Sequence, residues 1–399
     1  MPIAYCPLPI DSPLPIGLPR SYDFIFLGAG CASLSIVMRM IGSQQFSDKK
    51  ILLIDKDEKN KNDRTWCFWE NGTGFFEDIV YKKWSSLSIQ SDRVNIPLHI
   101  NPYEYKMIRG LDFYFHCFST IAFLPNIDVV YGEISIGKPG ENCIRVDGEE
   151  LRTGKAVIFN SVHFPGSNQK GKFYLKQHFK GWIIETPAHE FDPQHGILMD
   201  FNVHQSHGTT FVYLLPLAAN FALVEYTLFT KDILPAAEYD DQLRTYVTEQ
   251  LRITDFNIVE EEFGIIPMTN AKFPAYENGV YHIGTSGGQT KPSTGYTFQF
   301  IQKQAKQIVA DLIKKGVPSK YSNTGKRFQF YDSTLLHILA NNKMPGKEIF
   351  TQLFQKNKAS AVFKFLDNET TIGEDLTIIN SLPKKEFLSA GIKEIIKQF

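Results

Sequence analysis

Three regimes of apolar spacing divide the chain. In the first, short solid apolar runs alternate with helical spacing. Tyr22-Asp23-Phe24-Ile25-Phe26-Leu27 suits a strand buried on both faces, and Leu34, Val37, Met38 and Ile41 mark one helix face within Ser33–Ile41. A second buried run, Ile51-Leu52-Leu53-Ile54, ends in Asp55, so the pattern predicts a βαβ unit. Ile127–Tyr131, Ala156–Phe159 and Val280–Gly284 read as further strands of that layer. Tyr81–His99 alternates like sheet, and Tyr103–Phe118 reads as helix. In the second regime, from Phe173 to Ile266, the pattern predicts one antiparallel sheet. Its strands are Trp182–Glu185, Ile197–Phe201, Phe211–Leu217, Phe221–Phe229 and Val259–Ile266, with a helix at Asp240–Gln250. The third regime is helical. Phe300, Ile301, Gln304, Ala305, Ile308, Val309, Leu312 and Ile313 hold one face of a helix that Gly316 and Pro318 end, and Tyr321–Phe399 continues in helices.

The fold class predicted is α/β: a Rossmann-like FAD-binding domain, an inserted antiparallel-sheet substrate domain and a helical C-terminal region. The corresponding boundaries are 21–165 with 275–316, then 166–274, then 317–399. Residues 1–20 hold six prolines and read as an extended arm, not a targeting peptide. At 399 residues the chain can bury a large core. The apolar stretch Phe211–Phe229 is long enough to span a bilayer, but Pro216, Asn220 and Glu225 interrupt it, so a buried hairpin is expected. A formal net charge of −1 gives no push toward nucleic acid. From Ile301 onward, however, there are 16 Lys and Arg against 9 Asp and Glu, which suits either an anionic membrane surface or a solvated helical face. The five cysteines form no C-x-x-C pair, which points to reduced thiols in the cytoplasm and away from a zinc site; no metal site is expected.

Candidate chemistry begins at the turn Gly28-Ala29-Gly30-Cys31. Glycines there let backbone approach a pyrophosphate at the following helix N-terminus, and Asp55 is placed to accept from an adenosine ribose. Ser33 stands where the fingerprint has a third glycine. Asp63-Arg64-Thr65-Trp66-Cys67-Phe68-Trp69-Glu70 either lines a site for a flat conjugated group, with Arg64 facing phosphate or a polarised ring, or fills core. Arg109, early in its expected helix, is a second candidate for a cofactor phosphate. A later glycine loop, Thr285-Ser286-Gly287-Gly288, then Lys291-Pro292-Ser293-Thr294-Gly295-Tyr296, feeds a helix again, the pattern of a flavin site closed by the C-terminal half. After Asn160 the chain lacks the acidic or glycine-rich residues common in such flavoproteins. On Phe221–Phe229, Glu225 shares a face with Leu223 and Thr227. It is either a desolvated general acid or the partner of a cation at a sheet edge; Glu185 and Asp200 carry the same ambiguity in weaker settings.

Taken together, these segments resemble lycopene cyclases of the bacterial β-cyclase family, within the glutathione-reductase-like flavoproteins. The resemblance rests on Gly28–Gly30, Arg64–Trp69, Met199-Asp200, Phe211–Leu217, Leu223–Glu225, Glu261–Pro267 and Lys291–Tyr296, in family order. It implies a redox-neutral isomerase, membrane-associated at the cytoplasmic face, that closes β-ionone rings on the ψ ends of lycopene. Reduced FAD, with NAD(P)H as electron source, is implied as cofactor, and Glu225 matches the family's acidic position. A flavin monooxygenase, a prenyl reductase and an isoprenoid carrier are the competing expectations. The aromatic, lysine-studded stretch Ile349–Leu366 is expected either to face the membrane or to pack as ordinary helix.

Overall fold

The computed structural model describes residues 21–92, 94–136, 143–162, 172–319 and 325–396. The proline-rich arm lies outside them. In chain order, β1 (Phe24–Leu27) leads through Gly28–Gly30 into α1 (Cys31–Ser43) and β2 (Ile51–Asp55). There follow β3 (Thr65–Asn71), β4 (Lys82–Trp84), β5 (Ser86–Ser91), β6 (Val94–His99), β7 (Tyr103–Arg109), α2 (Gly110–Ile121) and β8 (Ile127–Tyr131). A small meander of β9 (Ile134–Ile136), β10 (Cys143–Val146) and β11 (Glu149–Arg152) precedes β12 (Val157–Asn160). The long strands β13 (Tyr174–Glu185), β14 (His195–Asp200), β15 (Thr209–Ala218) and β16 (Phe221–Thr230) come next, then α3 (Ala236–Thr245) and β17 (Asn257–Thr269). The short β18 (Tyr276–Glu277) and β19 (Val280–His282) return to the first layer before α4 (Phe298–Lys315). The C-terminal part is α5 (Lys326–Ala340), α6 (Gly346–Lys356), α7 (Ala359–Leu366), α8 (Ile372–Ser381) and α9 (Lys384–Ile396).

Every residue of β1 and β2 is buried, because their sheet, ordered β18-β19-β12-β1-β2-β8, is covered on both faces. Phe24, Phe26 and Leu53 face α1, α2 and α4, while Ile25, Leu27, Leu52 and Ile54 face Ile144 and Val146 of the meander. That double coverage is why these strands read as solid apolar runs. The central pairs of this sheet, β12–β1, β1–β2 and β2–β8, are parallel, so the glycine turn lies at the carboxyl edge, where ligands of such folds bind.

The second sheet is ordered β17-β13-β16-β15-β14-β5-β6. One face packs under α3 through Trp182, Val212, Val224 and Tyr226. The other, carrying Leu175, Tyr213, Leu215, Leu223 and Phe229, joins Tyr105 and the helices α5 to α7 in the largest core. Two expectations are corrected here. β5 and β6 were expected with the dinucleotide-binding unit but belong to this sheet, and β14 pairs with β5 in parallel, so the sheet is not wholly antiparallel. Alternation fixes that residues 86–99 are strand; the partner is chosen by the core that Leu87 and Ile89 fill.

The helix expected over Tyr103–Phe118 starts only at Gly110. Tyr103–Arg109 instead pairs in register with Thr65–Asn71, burying Tyr105 and Met107 at strand spacing. Ile349–Leu366 does not face outward: Phe350, Phe354 and Phe363 are buried, and Phe363 stacks on Trp69 at 4.5 Å between ring centroids. An aromatic stripe at helical spacing satisfies a sheet face as well as it would a bilayer, and here the sheet takes it. No helix among the described residues is long and apolar enough to cross a membrane.

Candidate active site

A cavity of about 440 Å³ opens between the two sheets. Its lining includes Gly30, Cys31, Arg64, Trp66, Glu225, Thr294, Gly295 and Tyr296, so residues from four separate parts of the sequence converge there. At one end is the β1–α1 turn. Gly28 has φ +94°, and a Cβ there would fall 2.3 Å from Ser161 Oγ at the end of β12, so only glycine fits. The Ala29 N–H donates to Asp55 Oδ2 at 2.7 Å, and Asp55 Oδ1 accepts from the Asp57 N–H at 2.9 Å. Asp55 thereby ties the turn to the end of β2 and lies behind the cavity, not in its lining. Ser33 is fully buried, with its hydroxyl 3.4 Å from that of Ser161, which explains a small polar residue at the third fingerprint position.

The start of α1 is open. Gly30 makes no side-chain cap, the first turn has no acidic residue, and a Cβ on Gly30 would meet nothing within 4 Å. Uncapped N–H groups beside free space, with the Arg64 guanidinium also at the cavity, suit a phosphate. Two lining atoms, Thr294 Oγ1 and Gln177 Oε1, are buried without a partner. Such atoms are costly unless something fills the space, so this end fits a dinucleotide. Gly287 and Gly288 sit behind the lining, at the end of a one-turn helix (Gly284–Gly287) against α1. Arg109 is not in the lining: it ends β7, pairs with Asp112 at 2.6 and 2.9 Å, and stacks on Tyr81. The aromatic segment divides, with Trp66 lining the cavity and Trp69 in the core, donating its indole N–H to Asp367 at 2.8 Å.

The other end is built on the second sheet. Across three adjacent strands, Glu225 of β16 stands opposite Gly181 of β13, which stands opposite Glu262 of β17; Tyr213 of β15 flanks Glu225 on the far side. Residues directly opposite share a face, so the two carboxyls look over Gly181 at each other. A Cβ at Gly181 would come to 3.1 Å from Glu262 Cγ, so the missing side chain is what lets them meet. Glu225 accepts from Thr227 Oγ1 at 2.9 Å, Glu262 from Thr65 Oγ1 at 2.8 Å, and the two carboxyls hydrogen-bond each other. Burial, and after it the charge of Glu262, pushes the Glu225 carboxyl well above the usual carboxylate range; burial also raises Glu262. Two carboxyls so placed titrate as a coupled pair. Phenols stand beside them: Tyr213 flanks Glu225 on the neighbouring strand, and the Tyr296 hydroxyl, also in the lining, is 3.2 Å from that of Tyr105. Leu215, Leu223, Phe179, Ile266 and Phe298 complete an apolar lining around this polar row. The arrangement is able to give a proton to, and take one from, a hydrocarbon held there.

Among the acids flagged on sequence, only Glu225 reaches the cavity. Asp200 accepts from Tyr246 on the opposite face of the sheet, and Glu185 is not in the lining. Glu262 was missed. Two signals pointed to it: it lies in the Glu261–Pro267 segment that carries the resemblance, and of three consecutive glutamates, 260–262, on an alternating strand at least one had to face inward.

A family model described as "Lycopene cyclase protein" matches residues 23–390. Lycopene beta-cyclase of Pseudescherichia vulneris is 26% identical over 321 residues, covering 76% of this chain and 77% of that protein. Lycopene beta-cyclase of Pantoea ananas is 25% identical over 304 residues, covering 72% and 74%. Among solved structures, a geranylgeranyl bacteriochlorophyll reductase-like protein from Thermoplasma acidophilum aligns with TM-score 0.55 at 13% identity, covering 95% of this chain and 99% of that one. A flavoprotein/dehydrogenase from Cytophaga hutchinsonii aligns with TM-score 0.62 at 9% identity, covering 94% and 100%. At such identities these structures establish the fold alone.

Proposed function

The chain belongs to the lycopene cyclase family, a carotenoid cyclase enzyme by that membership, and on this premise we propose that it converts the ψ ends of lycopene to β-ionone rings. The observation that carries the reading is the buried, facing carboxyl pair Glu225–Glu262, set in an apolar pocket beside an open glycine turn.

In the proposed reaction the Glu225 carboxyl gives its proton to the terminal double bond, leaving a tertiary carbocation. The π electrons of an internal double bond attack that cation and form the ring-closing C–C bond. The new cation loses an adjacent proton to the carboxylate pair, which restores the double bond and recharges the acid. One proton enters and one leaves, so substrate and product have equal mass. Thr227 and Thr65, by donating to the pair, stabilise its anionic form between the two transfers. Burial keeps water from trapping the cation.

FAD in reduced form, with NAD(P)H as electron source, is the proposed cofactor and would supply electron density that stabilises positive charge at the reacting end. Gly30, Cys31 and Arg64 would hold its phosphates, on the turn that Gly28 and Ala29 shape. Ser33 and Asp55 would fix the turn, and Thr294, Gly295 and Tyr296, backed by Gly287 and Gly288, would close over its ring. The unpartnered Thr294 hydroxyl and Gln177 carbonyl support that placement. The enzyme would work at the cytoplasmic membrane, since its substrate dissolves in lipid and not in water.

The test is expression in lycopene-accumulating bacteria with pigment analysis by chromatography and mass. A cyclic product of unchanged mass is expected. A product heavier by oxygen or by two hydrogens would replace this reading with a monooxygenase or a reductase.

A further inference from the structure

Exposed large aliphatic side chains concentrate on the last two helices. Ile372 and Leu376 of α8 are 64% and 54% exposed, and Leu388, Ile392, Ile395 and Ile396 of α9 are 64%, 57%, 47% and 66% exposed. Single exposed aliphatics are ordinary on a protein surface; a stripe along a helix face is not. On α9 these four residues follow the spacing of one face, and Lys384 and Lys385 fall on that same face one turn earlier. All three lysines of the helix, Lys384, Lys385 and Lys393, are exposed. Its acids point elsewhere: Glu394 is buried on His337 at 2.6 Å, and Glu386 lies opposite Leu388 around the helix.

We propose that α9, with Ile372 and Leu376 of α8, is the surface by which this protein lies on an anionic lipid bilayer. An aliphatic stripe ringed by lysines matches the acyl boundary and the phosphate headgroups at once, whereas a second copy of the same stripe would bring like charges together. α9 packs on α5, and α5 packs on β13, the strand that carries Gly181 between the two carboxyls. This surface also replaces Ile349–Leu366, whose aromatics are core. The inference rests on the reading of a lipid-dissolved substrate, and the experiment separates the two.

Flotation with carotene-free vesicles of phosphatidylglycerol and phosphatidylethanolamine measures binding alone. The full chain is expected to float with the vesicles. The variant Leu376→Ser/Leu388→Ser/Ile392→Ser/Ile396→Ser alters only exposed positions, so it should stay folded and remain unbound. Replacing Lys384, Lys385 and Lys393 by Gln should weaken binding to anionic vesicles about a hundredfold, about fivefold per lysine. Both variants should keep wild-type turnover of lycopene dispersed in detergent. Failure of the wild type to float, or equal flotation by the serine variant, would overturn the proposal. So would a wild-type dimer that the serine substitutions dissociate. Lipid binding that follows the prediction in a protein that cyclises no carotene would leave this surface standing and remove the cyclase reading instead.

Discussion

The two ends of the cavity are built by opposite strategies. At the dinucleotide end, four- and five-residue strands buried on both faces deliver their functional groups in the loops at their carboxyl edge. At the acid end, strands of ten to thirteen residues carry functional side chains in mid-face, and chemistry arises from what stands opposite on the neighbouring strand. Loops tolerate open space, such as that beside Gly30, so a cofactor can approach backbone. A sheet face holds side chains rigidly and excludes water, so it can keep two carboxyls close enough to share a proton. In the proposed reading one end binds and the other moves a proton.

This contrast predicts separable failures. Gly30→Leu should have the largest effect. The residue has φ −88° and ψ −170°, open to any side chain, and its Cβ meets no neighbour, so the fold should survive while the phosphate space is filled. A folded protein without bound flavin, inactive in ring closure, is expected by absorbance and pigment assay; full flavin occupancy would break the assignment. Glu225→Gln should do the converse, keeping flavin and fold but slowing cyclisation by at least about a hundredfold, the lower range for a general acid. Glu225→Asp, which retracts the acid by one methylene, should lose less. Gly181→Ala sharpens the register argument, because its methyl presses on Glu262 and Leu223 at 3.1 Å. A fall of about tenfold in kcat with unchanged flavin content is expected, from a misplacement of the pair well under an ångström.

How far each end was legible follows from the same contrast. The βαβ turn, the Phe211–Phe229 hairpin and α4 are local: turn residues, apolar period and helix end all lie within one stretch of sequence, and the structure has them where the pattern put them. Glu225 stood out because Leu223 and Thr227 are its neighbours on one strand. Its partnership with Glu262 depends on two pairings with β13 that no local pattern encodes. Tyr103–Arg109 was misread for the same reason. Its apolar spacing admits helix or strand, and the ladder to Thr65–Asn71 decided it. Ile349–Leu366 is open on sequence for a different reason: its spacing reads correctly as helix, but sequence does not say whether an aromatic face meets lipid or protein, and the structure has it on protein.

The central claim is that Glu225 and Glu262 act as one proton-holding unit. A double-mutant cycle on ring-closure rate, using flavin-loaded Glu225→Gln, Glu262→Gln and the double variant, tests it most directly. Glu262→Gln alone should cost about tenfold or more, since Glu225 then loses the partner that shares its proton. The account predicts that the double variant is no slower than Glu225→Gln alone. Rate losses that multiply, as for two independent residues, would contradict it.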